Sequence, residues 1–257
     1  MMTGSDLIIS FTVAAFAVTL AALRSRKKRN VKPVRQPIPG IDDPGLMTPP
    51  TPFGYKTAWF AIRSENTKAV ATALQLQNLQ PAGWTYGIWH SIETDDYSIF
   101  LTPAVHGWTL AVGTPVLYEA EDHATERMVE LSRQFGEAQL FASMRISNAY
   151  VWARARNGKL ERRFYDVDGQ HNETGEVTEE EKSLGLEFFE DSSPDSKAPG
   201  YWVRKDLVFV GEEHVLQVAG RWSVDPSKLD QMGLVPAQGL IGEASVSYPP
   251  KPQPIRC

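Results

Sequence analysis

Residues 56–74 read KTAWFAIRSENTKAVATAL, and they set the frame for the rest of the chain. Lys56–Arg63 is rich in aromatic and branched residues and predicts a strand. Ser64 is placed to cap the next helix. Thr67, Val70, Ala71 and Leu74 fall at i, i+3, i+4 and i+7, one apolar face of that helix. Pro81 and Gly83 close this unit. Ser98–Pro103 and Gly107–Gly113 are two short apolar runs around Ala104-Val105-His106, a predicted hairpin. Glu119, Glu121 and Asp122 crowd the expected start of a second helix, where negative charge suits the dipole. Ala124, Met128, Leu131 and Phe135 form its stripe, Gly136 stops it, and Gln139–Ile146 reads as a strand. The order β-α-β-β-α-β predicts a ferredoxin-like α+β sandwich.

Toward the C-terminus, the sandwich is extended by further elements. Tyr150–Arg156 and Leu160–Val167 are expected strands joined by Asn157-Gly158, a strong hairpin signal. Thr178 and Glu181 have capping-box spacing, predicting a helix to about Leu186. Residues 189–200 read as an acidic loop and Val203–Val210 as a strand. Glu213–Trp222 reads as a helix, and Asp225-Pro226 as the start of a short one. The body is thus expected over residues 54–247, with a sub-boundary near 147 and a disordered Pro-rich tail at 248–257.

Toward the N-terminus, residues 30–53 carry seven prolines and read as an extended linker. Before it, Leu7–Leu23 is 17 residues without a charge, followed by Arg24, Arg26, Lys27, Lys28 and Arg29. At about 1.5 Å per residue such a run approaches the thickness of a bilayer core. Residues 1–29 are therefore expected to be a single-pass transmembrane helix with a basic flank. Cations after the run place the N-terminus outside and the body in the cytoplasm, at the inner membrane. The rival is a cleaved signal peptide, which wants its cations before the run.

Composition excludes several classes. The 257 residues include one cysteine, Cys257. No intramolecular disulfide can form, nor a zinc site of four cysteines or of two cysteines and two histidines. The formal charge of −5 is unevenly spread: seven basic residues and no acid lie between Arg24 and Arg35. Beyond Arg35, 19 basic residues face 30 acids, a net of −11. Such a body is a poor partner for nucleic acid, whose binding needs a positive field.

No dinucleotide, phosphate-loop or nucleophile-elbow motif is present, and no cofactor is expected. Among His90, His106, His123, His171 and His214, no two have the spacing of a helical metal pair. Asp166-Val167-Asp168-Gly169 begins like a calcium loop, but His171 stands where glycine is needed, and Glu176 comes one place early. Glu179, Glu180, Glu181, Glu187, Glu190 and Asp191 read as a solvated acidic face. His90, His106 and Asp96 are the candidates for a scattered hydrolase site.

The most informative stretch is the Asn157-Gly158 hairpin. Tyr150, Trp152, Arg154 and Arg156 alternate with Val151, Ala153 and Ala155, so one face is small and apolar while the other carries aromatics and arginines. Arg162 and Arg163 on the return strand keep positive charge local. These are residue types enriched at protein-protein hot spots, and the six are the candidate partner-binding residues.

Phe141–Arg163 (FASMRISNAYVWARARNGKLERR), Thr178–Gly185 (TEEEKSLG), Val218–Pro226 (VAGRWSVDP) and Gly107–Gly113 (GWTLAVG) resemble segments of uncharacterised bacterial proteins. Those proteins are similar to immunity proteins of interbacterial toxin systems. The resemblance implies a non-enzymatic inhibitor and carries no catalytic motif. With the charge pattern, it gives a first reading of a membrane-anchored interaction module that neutralises a toxin, a basic one by charge complementarity. The partners would then be a protein and, through residues 7–23, the bilayer. The alternatives are a tethered scaffold or sensor, and a hydrolase.

Overall fold

Thr57–Ile62 (β1) is buried at all six positions, so both of its faces are covered. Trp59 and Ala61 point to one core, and Ala58, Phe60 and Ile62 to another. A strand buried on both faces reads as a nearly continuous apolar run, as this one does. The computed structural model describes residues 41–94, 97–113, 115–116, 123–167, 170–186, 197–203 and 210–244.

Among the described residues, eight more strands follow: Leu76–Gly83 (β2), Ser98–Leu101 (β3), Thr109–Val112 (β4), Glu137–Met144 (β5), Ala149–Arg156 (β6), Lys159–Val167 (β7), Gln170–Thr174 (β8) and Gln238–Ala244 (β9). They form one antiparallel sheet in the order β2-β9-β3-β4-β1-β5-β6-β7-β8. The helices are Thr67–Ala73 (α1), Trp84–Glu93 (α2), His123–Phe135 (α3), Glu179–Ser183 (α4) and Glu212–Trp222 (α5), with a 3-10 turn at Pro226–Gln231.

One face of the sheet is covered by α1 and α3, through Val70, Ala71, Ala124, Met128 and Leu131. The other is covered by α2 and α5, through Trp84, Ile88, Val215, Leu216, Val218, Ala219 and Trp222. Each large apolar side chain so buried contributes about 1.5–3 kcal/mol.

The ferredoxin-like sandwich is corrected by this topology. Strands β3, β4, β1 and β5, which that reading assigned, are the middle four of nine. Strands β9 and β2 extend the sheet on one side, β6, β7 and β8 on the other, and helices cover both faces rather than one. The protein is an α+β domain built on a large antiparallel sheet.

The single-pass anchor and the inner-membrane localisation built on it are corrected as well. No helix among the described residues is long and apolar enough to cross a membrane. The run Leu7–Leu23, residues 204–209 of the expected strand and the tail lie outside the described residues. Residues 41–53, read as linker, lie along the body. Thr48 bridges Ala237, the Gly83 N–H donates to the Pro44 carbonyl, and Phe53 sits edge-on to Trp59 at 5.8 Å between centroids.

Candidate functional site

A register of cross-strand neighbours runs through the α5-side core. Phe100, Val112, Trp59, Phe141, Trp152 and Phe164 lie opposite one another on successive strands. Trp59 stacks on Phe141 at 5.2 Å, and Trp152 on Phe164 at 4.0 Å. This aromatic row is the floor on which the hairpin's polar side chains stand.

Period-2 alternation puts Tyr150, Trp152 and Arg154 of β6 on that floor, with Arg162 of β7 beside Arg154. The face is not open to solvent. Trp152 is 0% exposed, Arg162 1%, Tyr150 7% and Arg154 8%. The lid over Trp152, Arg154 and Arg162 is α4. Its N-cap, Thr178, and its third residue, Glu181, form a reciprocal capping box, Thr178 N–H to Glu181 Oε2 at 2.9 Å and Glu181 N–H to Thr178 Oγ1 at 3.2 Å. The same Glu181 carboxylate accepts from Arg162 Nε at 3.0 and 3.1 Å and from Trp152 Nε1 at 2.9 Å, while Arg162 Nη2 lies 2.9 Å from Oε1.

Burial alone would raise the Glu181 carboxyl. The Arg162 guanidinium, the Thr178 N–H and the Trp152 indole outweigh it and hold the group below the ordinary carboxylate range. Arg162 also pairs with Glu173 at 2.7 Å and donates to the Gly175 carbonyl at 3.2 Å. Arg154 pairs with Glu161 and Glu180 and lies 4.8 Å from the Trp222 ring centroid.

Arg156, beside the Asn157-Gly158 turn, is half-exposed, bonds Glu137 through Nε at 3.0 Å and lies 3.5 Å from Glu161, with which Arg154 also pairs. Arg163 is opposite Ala153, on the other face of the sheet, because consecutive strand residues point oppositely. It lies 5.6 Å from the Tyr165 ring. The structure therefore gathers Tyr150, Trp152, Arg154 and Arg162 under α4 and α5, leaves Arg156 at the exposed rim beside Glu161, and puts Arg163 on the other face.

A polar row borders this region. Thr57, Ser143, Tyr150 and Asp166 lie opposite one another on β1, β5, β6 and β7, all buried. Glu212, in the first turn of α5, closes it, accepting from Ser143 Oγ at 2.8 Å and from the Lys56 N–H at 3.1 Å. Burial, then the Glu212 and Asp166 carboxylates, raise the Tyr150 phenol above its ordinary value.

His90 stacks on Tyr86 at 5.0 Å in the last turn of α2, before β3, whereas His106 is exposed in the turn after β3. Asp96, Asp168, Glu187, Glu190, Asp191 and Cys257 lie outside the described residues. Asp166 is held in β7, and no group of three His, Cys, Asp or Glu among the described residues could hold a metal ion.

Sequence pattern misses two carboxylates as partners of this face. Glu181 belongs to a run read as solvated, yet it is 0% exposed. Its signal is the capping box itself, which turns the third residue back toward the helix start and, here, toward Arg162. Glu212 carries no signal beyond its place in a first turn. Comparison with known proteins finds no matching family model, no matching curated protein and no matching solved structure.

Proposed function

We propose that this protein is an interaction module that binds a basic protein partner, the role of an immunity protein neutralising a toxin. One observation carries the reading. Arg154 and Arg162 turn inward and are matched by carboxylates, and acid is presented to solvent on and beside α4. Glu179 is 86% exposed and paired with Lys182 at 2.7 Å, and Glu176 is exposed beside it. The excess of acids beyond Arg35 gives the surface a negative field of the sign that steers a cationic protein toward it.

The test is co-expression of the full chain with the product of the adjacent gene, followed by association kinetics at rising ionic strength. The expected result is a complex at low salt whose on-rate falls about tenfold or more in the Glu176→Lys, Glu179→Lys double variant. Absence of a complex at low salt, or binding indifferent to both salt and charge reversal, would contradict the reading.

A further inference from the structure

The contacts of α4 differ in kind from those of its neighbour α5. Helix α5 buries Val215, Leu216, Val218, Ala219 and Trp222 against the sheet. The five residues of α4 bury Glu181 alone. Its docking is polar: Glu181 on Arg162 and Trp152, Glu180 on Arg154, and Thr178 accepting from the Trp222 indole at 3.3 Å. Leu184 and Leu186, just beyond, supply the nearby apolar contact.

Both ends of this segment carry a glycine in the left-handed region, Gly175 at φ 80° and Gly185 at φ 65°. Gly175 is packed against the Glu161 carbonyl and anchors one end, so the segment can turn about the other. A Cβ on Gly185 would meet nothing within 4 Å, so that end is sterically open. Lifting α4 also leaves Arg162 matched. Glu173 of β8 stays on its guanidinium, and water reaches the rest. The usual cost of stripping a buried arginine of its partner is thereby reduced.

We infer that residues 176–184 form a displaceable strap, that Glu181 is the resident ligand of a carboxylate-binding socket made by Arg162 and Trp152, with Arg154 holding the neighbouring Glu180, and that an acidic peptide segment can take the strap's place. The socket supplies what a carboxylate needs. The Arg162 guanidinium gives charge and two donors, the indole N–H gives a third donor, and the Trp152-Phe164 stack gives a dry floor. The strap is an autoinhibitory contact that closes the aromatic–arginine face until a competing carboxylate arrives. The socket works whether or not a basic partner docks on the outer acids.

Two measurements on the full chain test it. In native-state hydrogen exchange of the unmodified protein, the amides of Lys182, Leu184 and Gly185 should exchange about tenfold or more faster than those of β6, through an opening insensitive to low denaturant. In Glu181→Ala, that segment alone should lose protection. A peptide copying residues 176–186 should then bind the variant, bind the unmodified chain about tenfold or more weakly because the strap competes with it, and lose binding when its residue matching Glu181 is Gln. Equal protection of α4 and β6 in the unmodified protein would overturn the proposal, whatever the variant does. So would a folded Glu181→Ala chain that ignores the peptide, or one that binds the Gln peptide equally well.

Discussion

Arg162 keeps its charge at 1% exposure because each side of its guanidinium is answered: Glu181 on one, Glu173 and the Gly175 carbonyl on the other. Trp152 completes the arrangement by donating to Glu181 from the aromatic row. Trp152→Ala should therefore cost about 3–5 kcal/mol in denaturant unfolding, through the cavity beside Phe164 and the lost donor. Trp152→Phe keeps the ring contact and should cost less than half as much. His214 supports a second prediction about a single side chain. Burial lowers its pKa, only partly offset by Glu213, and its Nδ1 accepts from the Gly211 N–H at 3.1 Å. The unfolded chain thus binds a proton more readily than the folded one. Stability should fall as pH drops below about 6.5, the unfolded value, and through the lower folded one. His214→Gln retains an N-capping acceptor without titrating there. Melting temperature in this variant should change less between pH 7 and pH 5; an unchanged slope would refute the assignment.

Among the strands and helices, legibility follows how local the signal is. The hairpin at Asn157-Gly158 is readable because both residues take positive φ, 48° and 77°, as the turn demands. A Cβ on Gly158 would come within 2.9 Å of Arg133 Nε, and Gly158→Ala should cost about 1 kcal/mol or more. Thermal melting checks that figure. Helix α2 escapes the sequence reading, although Trp84, Gly87, Ile88 and Ser91 keep helical spacing, because a glycine and a serine disguise its buried stripe. Gly87 is small because Phe100 lies against its Cα, so Gly87→Ala would push a Cβ into that ring. Strand β2 escapes it for another reason: it is an edge strand with a register shift between Gln77 and Gln80 and a proline at 81, so its alternation is broken. Strand β9 depends on partners far earlier in the chain, β2 and β3. Its Gly239 is required by the Leu101 carbonyl oxygen pressed against it, a constraint no local pattern announces.

Across the whole fold, the alternation of the hairpin is legible in the sequence, but the layer that covers it is not. A face of Tyr, Trp and Arg reads the same whether it meets a partner or the chain's own α4 and α5. Here it meets the chain, and the surface left over carries acid. That internal pairing of Arg154 and Arg162, which leaves acid outside, is what the proposed recognition of a basic partner rests on. Arginine-selective dicarbonyl labelling of the native full chain, followed by mass spectrometry, measures it directly. Arg156 should be modified readily, Arg154 and Arg162 should stay protected, and all three should react after unfolding. Modification of Arg162 in the native protein at the rate of Arg156 would contradict the account.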